Sequence, residues 1–458
     1  MSKLFVLKRK MLSAAILVLV LAAASFASVS AQDGISGGAG PDYLANFGAI
    51  LGFRDGINGE GGNDQIENWG LIVVERHGLN GADDSDIVLN NGDIGAGISG
   101  LFGGDGPDAL YNYGNVGALV AGMQGGFGDD YLLNDGDILA GFVGMYGGDV
   151  SAPGTDTGSD ALWNYGNVFG GVLGMFGGAG NDALYNIGFL GVDSSVGNVT
   201  AGSGNAMDGG DGDDYLYNED GTLVAGADGM AGGSGSDVLR NATFGGVFTG
   251  GEIYAGNDGM SGGAGNDALS NESSYIDADN DGMSGGSGND GLTNDGGIVA
   301  GNNGMDGGTG SDVVTNTANG GIVAGNDGMA GGDGPDALTN DGGIIAGNDG
   351  MAGENGNDTI INNNSVAAGD DGLDGGNGSD VVENNGVIIA VDDGMAGGDG
   401  ADALTNNGDI GSGGDGMDGE AGNDTITNNG TIVASGNGMN GGGGSDVIVN
   451  NGTLIAGP

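Results

Sequence analysis

A sentence of twenty-two residues, written over and over, constrains this chain more than any other feature. Residues 328–349 read "GMAGGDGPDALTNDGGIIAGND" and residues 350–371 read "GMAGENGNDTIINNNSVAAGDD". Copies begin near residues 34, 56, 78, 100, 122, 144, 174, 206, 229, 259, 282, 304, 328, 350, 372, 394, 416 and 438. The longer steps come from insertions around 149–157, 189–205 and 242–256. A fixed period of this size is the signature of a solenoid. In every copy a D-x-Φ-x-N segment keeps its Asp and its Asn, as at Asp336 and Asn340, with Leu, Ile or Val between them. Every Met after the leader follows Gly or Ala at one slot, from Met123 to Met439.

No apolar set recurs at helical spacing, whereas "DALTN" and "GGIIAG" alternate apolar with small or polar residues, which is strand period. Each repeat therefore predicts two short strands, with a third suggested at Gly-Met, joined by Gly/Asn/Asp turns. The predicted fold is an all-β parallel β-solenoid (β-helix or β-roll) of about eighteen coils. Met329, Leu338 and Ile344 are its expected inward residues. At ~4.8 Å per coil the rod would be about 85 Å long. The Asn column is expected to stack at an inner corner, each amide bonding the next and closing turn backbone groups.

Composition narrows the class. Gly supplies 114 of 458 residues, yet Pro is scarce at 5 and apolar residues reach 38%, which argues against a linker. Gly does not fall at every third residue, so collagen is excluded. There are 63 Asp+Glu against 7 Lys+Arg. Four of the basic residues (Lys3, Lys8, Arg9, Lys10) open the chain, leaving Arg54, Arg76 and Arg240. Nucleic acid and anionic membrane are not partners for such a surface, because both demand a basic footprint. Cations are. Cys is absent and His77 is the only His, which removes thiolate sites and multi-His metal sites.

Residues 1–31 combine that basic start with the apolar run "MLSAAILVLVLAAASF" and small residues Val29-Ser30-Ala31. This is the order of a secretory signal peptide, and it places the mature protein outside the cell or at its surface. No later apolar stretch approaches the ~20 residues needed to cross a bilayer, so no membrane insertion is expected after cleavage. Residues 32–458 form the solenoid domain, with aromatic-rich early coils (33–190) and polar, regular later coils (206–458).

"GGAGND" (262–267), "GGSGND" (285–290) and "GGDGPD" (331–336) fit G-G-x-G-x-D followed by x-Leu-x. This resembles the haemolysin-type calcium-binding repeats of RTX proteins, a resemblance that implies Ca²⁺ held between neighbouring coils by glycine carbonyls and the Asp. The implied ligands are Asp42, Asp108, Asp130, Asp182, Asp214, Asp237, Asp267, Asp290, Asp312, Asp336, Asp380, Asp402 and Asp446. Copies at 59–64, 81–86, 147–160, 353–358 and 419–424 depart from the pattern and fall outside that set. The chemistry stands without the family. Glycine permits the positive φ that turns carbonyls toward one point, and Ca²⁺ wants about six to eight oxygens. A second acidic column precedes Gly-Met: Asp228, Asp258, Asp281, Asp327, Asp349, Asp371, Asp393 and Asp415. Carboxylates stacked ~5 Å apart repel by ~1 kcal/mol in water and ~3 kcal/mol at an effective dielectric of 20, so both columns call for cations. The N-x-G-x-Ile half of the repeat, as in "NDTITNNGTIVASGNGM" (423–439), is more loosely similar to bacterial adhesin-type β-helices.

Tyr111, Trp163, Tyr185 and Tyr217 occupy the slot after the core Leu, and Tyr113 and Tyr165 the slot after Asn. Such columns offer stacking surface to a cell-surface glycan or protein, or pack coil on coil. Strand edges in matching register also invite head-to-tail self-association. The function expected is a non-catalytic, calcium-binding structural or adhesive protein of a matrix, surface layer or filament. A calcium-dependent polysaccharide-active β-helix enzyme is the alternative, although Arg54, Arg76 and Arg240 fall in separate coils and no carboxylate pair stands apart. Ice binding is a further alternative, weakened by the single Thr309 at the slot where a Thr column would stand.

Overall fold

The computed structural model describes residues 32–52, 54–151, 156–188, 197–243 and 251–457. The leader read in residues 1–31 lies outside them. The described residues are strands, turns and bends with no helix. Strands pair in parallel with their equivalents in adjacent coils, giving a β-solenoid of about 18 coils with a repeat of roughly 22 residues and three stacked sheets. By contacts the chain divides into two compact units, Met1–Ala227 and Asp228–Pro458.

In the second unit, one coil runs Met329–Asp333, Ala337–Asn340, Gly343–Ala346. The first strand is the one that local pattern only suggested. "MAGGD" has a single large apolar residue and little strand propensity of its own. It becomes a strand because Met329 is held in register between Met305 and Met351. The second strand sends Leu338 and Asn340 inward, and the third sends Ile344 and Ala346 inward while Ile345 faces out at 59% exposure. Leu338 pairs with Val314 and Ile360, and Ile344 with Ile322 and Val366, so each inward type meets its own kind one coil away. A column of small residues (Ala278, Ala300, Ala324, Ala346) completes the interior.

The first unit has the same layout. Leu101, Met123, Met145, Met175 and Met207 form one buried column, Leu110, Leu132, Leu162, Leu184 and Leu216 a second, and Val116, Ile138, Val168, Val199 and Leu223 a third. Insertions leave this register intact because they fall between strands. The first sits between Val143–Tyr146 and Ala161–Asn164, and the second between Ala183–Ile187 and Asn198–Ala201.

The asparagines stack as their recurrence predicts. Asn112 is fully buried; its Nδ2 donates to Asn134 Oδ1 at 2.8 Å and to the Gly114 carbonyl at 3.1 Å, and its Oδ1 accepts from the Gly114 N–H at 3.3 Å. The ladder holds across an insertion, since Asn134 reaches Asn164, thirty residues on, at the same 2.8 Å. Buried amides satisfied in this way pin the turn between second and third sheets.

Candidate metal centre

The G-G-x-G-x-D segment forms the bend between the first and second sheets. In "GGDGPD" (103–108), Gly104 and Gly106 have φ of 122° and 121°, a region closed to most side chains. The first glycine answers a different demand. A Cβ on Gly103 would stand 2.3 Å from Asp108 Oδ2 and 2.5 Å from the Gly125 carbonyl oxygen, so the bend folds directly against the carboxylate. The departing copies adopt the same bend at a cost in backbone strain: Glu60, Ala82, Glu354 and Glu420 take φ of 78°, 89°, 71° and 58° at the second glycine slot.

The bend turns its Asp inward. Asp108, Asp130, Asp267, Asp312 and Asp380 are between 1% and 3% exposed. Within each unit one carboxylate oxygen accepts the backbone N–H of the Asp one coil earlier. Asp86 N–H donates to Asp108 Oδ1 at 2.7 Å, Asp108 to Asp130 at 2.8 Å, Asp290 to Asp312 at 2.7 Å and Asp358 to Asp380 at 2.7 Å. Asp42, Asp182 and Asp214 belong to the ladder of the first unit, and Asp237, Asp267, Asp336, Asp402 and Asp446 to that of the second. So do Asp64, Asp86 and Asp160 in the first and Asp358 and Asp424 in the second, which the motif had set aside. The ladder depends on the Asp and the bend, and a Glu or Ala at one glycine slot breaks neither.

The second carboxylate oxygen is the chemical anomaly. Oδ2 of Asp86, Asp108, Asp130, Asp182, Asp312 and Asp380, among others, is buried with no hydrogen-bond partner. Burial pushes the Asp108 carboxyl up to about 8, Asp130 to about 9, Asp182 to about 7 and Asp402 to about 7, against the pull of the backbone N–H that each accepts. Arg54 and Arg76 pair with Asp33 and Asp55, and Arg240 with Glu272. A buried carboxylate left in this condition either keeps a proton or takes a cation against its open oxygen.

The second acidic column forms its own ladder in the second unit, running the other way. Asp281 N–H donates to Asp258 Oδ1 at 3.1 Å, Asp349 to Asp327 at 3.0 Å, Asp371 to Asp349 at 2.9 Å, Asp393 to Asp371 at 2.7 Å and Asp415 to Asp393 at 2.6 Å. Asp228 begins it, accepting from Asp258 N–H at 3.1 Å. In several coils a neighbouring amide spans the carboxylates, as Asn280 to Asp258 at 2.6 Å, Asn302 to Asp281 at 2.8 Å and Asn348 to Asp327 at 2.8 Å. Asp370 and Asp392 stand where those amides would be. Oxygens of Asp370, Asp371 and Asp392 then lie within 4.8 Å of one another. Burial, with like charges adding to it, pushes Asp371 up to about 8.

The aromatic columns largely consume their own ring faces. Trp163 stacks on Tyr185 at 3.9 Å and lies 6.3 Å from Tyr165; Tyr111 meets Tyr131 at 5.8 Å, and Tyr185 meets Tyr217 edge-on at 6.3 Å. Tyr131 and Tyr215 join this surface from the position just after the ladder Asp. Sequence reasoning also passed over Asp55 and His77, which sit together at the second acidic column's place in the early coils. Asp55 is fully buried between Arg54 and Arg76 and accepts the His77 N–H at 3.1 Å. The His77 ring stacks on Phe102 at 4.9 Å, and burial pulls its imidazole down to about 4.

No protein-family model, curated protein or solved structure matches the chain.

Proposed function

We propose that this chain is an exported, calcium-binding β-solenoid with a structural or adhesive role and no catalytic one. The fold supplies a repeating scaffold whose interior is complete and whose outer columns are free to vary. The observation that carries the cation half is the row of buried Oδ2 atoms without partners beneath the glycine bends. A hard divalent ion fits that donor set. Each coil contributes a carboxylate oxygen, and bend carbonyls complete an oxygen shell. The resemblance to RTX repeats, carried by G-G-x-G-x-D, gives the same chemistry. The residues that would hold the ion are the ladder aspartates, Asp108, Asp130, Asp267, Asp290, Asp312 and Asp380 among them. In the second unit, Asp370, Asp371 and Asp392 offer three carboxylates to one point. Bound there, calcium would cancel repulsion that otherwise opposes stacking of the coils.

Circular dichroism with and without chelator tests the reading. Excess EDTA should melt the β signal or lower Tm markedly, and millimolar Ca²⁺ should restore it. A spectrum and Tm indifferent to both would sink the cation half.

A further inference from the structure

We propose that a cleft beside Tyr113 in the first unit is a binding subsite for a neutral hexose of a glycan chain. This deepens the adhesive reading by naming its ligand class, and it rests on that reading. The cleft has a volume of about 250 Å³, the scale of one pyranose ring with its hydroxyls. Its floor is glycine backbone from successive coils. A Cβ on Gly136 would fall 2.0 Å from the Gly114 carbonyl oxygen, and one on Gly166 2.0 Å from that of Gly136, so side chains cannot fill it.

Tyr113 supplies the apolar wall. It is 47% exposed and stands in the slot after Asn, where the adjacent coils carry Asn91 and Asp135 in place of rings. Tyr111, Trp163, Tyr165 and Tyr185 all have ring partners; among the described residues, Tyr113 has none. Its face is therefore open for the stacking that sugar C–H faces favour. The opposite wall is built of acceptors in fixed orientation. Asn167 Nδ2 donates to Asp137 Oδ1 at 2.6 Å, and the exposed Asp137 carboxylate keeps acceptor capacity beyond that bond. Asn115 Nδ2 is spent on Asp93 Oδ1 at 2.7 Å, leaving the amide carbonyl. Hydroxyls that donate to a carboxylate and an amide oxygen, beside an aromatic face, are what a hexose offers.

Charge selects among glycans. Asp135 and Asp137 both line the cleft, so uronates, sulfated sugars and phosphates meet like charge. An ion alone would leave Tyr113 without a role, and among the described residues three carboxylates converge only at Asp370, Asp371 and Asp392.

The test is calorimetric titration of the full chain, in calcium, with hexamers of β-1,4-glucose, β-1,4-mannose and galactose, and with galacturonate hexamers as the charged comparison. At least one neutral hexamer should bind. Tyr113→Ala should weaken it by about tenfold, the worth of one ring contact, and Asp137→Ala by a similar factor. Tyr113→Phe should keep most of the affinity, and Tyr254→Ala, in the second unit, all of it. The proposal is overturned if no neutral hexamer binds at millimolar concentration. It also fails if Tyr113→Ala binds like the parent with an unchanged dichroism spectrum, or if galacturonate binds as well as the neutral sugars. Chelator response of the same samples reports the cation reading separately, so either can fail alone.

Discussion

Asn384 and Asn385 are neighbours with the same side chain and opposite weight. Asn384 is fully buried; it donates to Asn406 Oδ1 at 2.8 Å, accepts from Asn362 Nδ2 at 2.9 Å and accepts the Gly386 N–H at 3.1 Å. Asn385 is exposed and its side chain makes only the outer ladder, donating to Asn363 Oδ1 at 3.0 Å and accepting from Asn407 Nδ2 at 2.9 Å. Truncating the first takes a partner from the buried Asn362 and Asn406 amides and from the half-buried Gly386 N–H, and a buried polar group left short of a partner costs about 1–3 kcal/mol. Truncating the second leaves groups that water can reach. Urea denaturation at fixed calcium should show Asn384→Ala losing about 3 kcal/mol and Asn385→Ala under about 0.5 kcal/mol. Equal losses would mean that the inner ladder carries no special load. The same contrast explains what was legible at this scale. Asn340 and Asn384 announce themselves because a buried amide in a repeated corner has no equivalent substitute. Glu354 and Glu420 depart from the motif at its second glycine, yet the bend there accepts φ of 71° and 58°, so the motif alone did not show that Asp358 and Asp424 join the ladder.

Single strands are too short to read alone; pairing decides them. The second and third strands were legible because Leu338 and Ile344 alternate with polar neighbours, and the Gly-Met strand was only half legible because "MAGGD" exists as a strand through Met305 and Met351. The inward aim of the Asp was not legible at all. Spacing places Asp108 at the end of a bend, and only the approach of that bend at Gly103 shows which side the carboxylate takes. That aim has a consequence for pH. The folded-state pKa values of Asp86, Asp108, Asp130 and Asp182, about 6, 8, 9 and 7, lie above the ordinary carboxylate value, so the neutral form is the one the fold favours without metal. The stability this contributes is complete below the unfolded value near ~3.9 and is lost as pH rises through the folded values. In chelator, Tm should therefore fall between about pH 6 and pH 9, and acidification from pH 8 to pH 5.5 should raise it. Asp130→Asn keeps an oxygen acceptor and cannot ionise, so it should flatten part of that slope. Calcium, which binds the ionised form, should reverse the trend. A metal-free Tm that rises toward pH 9 would show the ladder carboxylates to be charged and otherwise compensated.

At the scale of the molecule, a net charge of −56 acts on every coil at once. Two physical effects could relieve it, and they separate by concentration. Screening by monovalent salt acts through ionic strength, with a Debye length near ~10 Å at 0.1 M and ~3 Å at 1 M. It would soften repulsion among exposed carboxylates such as Asp370 and Asp392 and do little for Asp108 or Asp312, which are 3% and 1% exposed. Coordination acts where the open oxygens are, saturates, and depends on the ion's size and willingness to shed water. Starting from chelated protein, NaCl should raise Tm gradually without saturation up to ~1 M, whereas Ca²⁺ should raise it further at millimolar concentration and then plateau. Mg²⁺ carries the same charge but resists dehydration, so at equal concentration it should fall well short of Ca²⁺. If sodium alone reproduced the calcium plateau, or magnesium matched calcium, the acidity would be a property of the surface and the buried ladder would be holding protons.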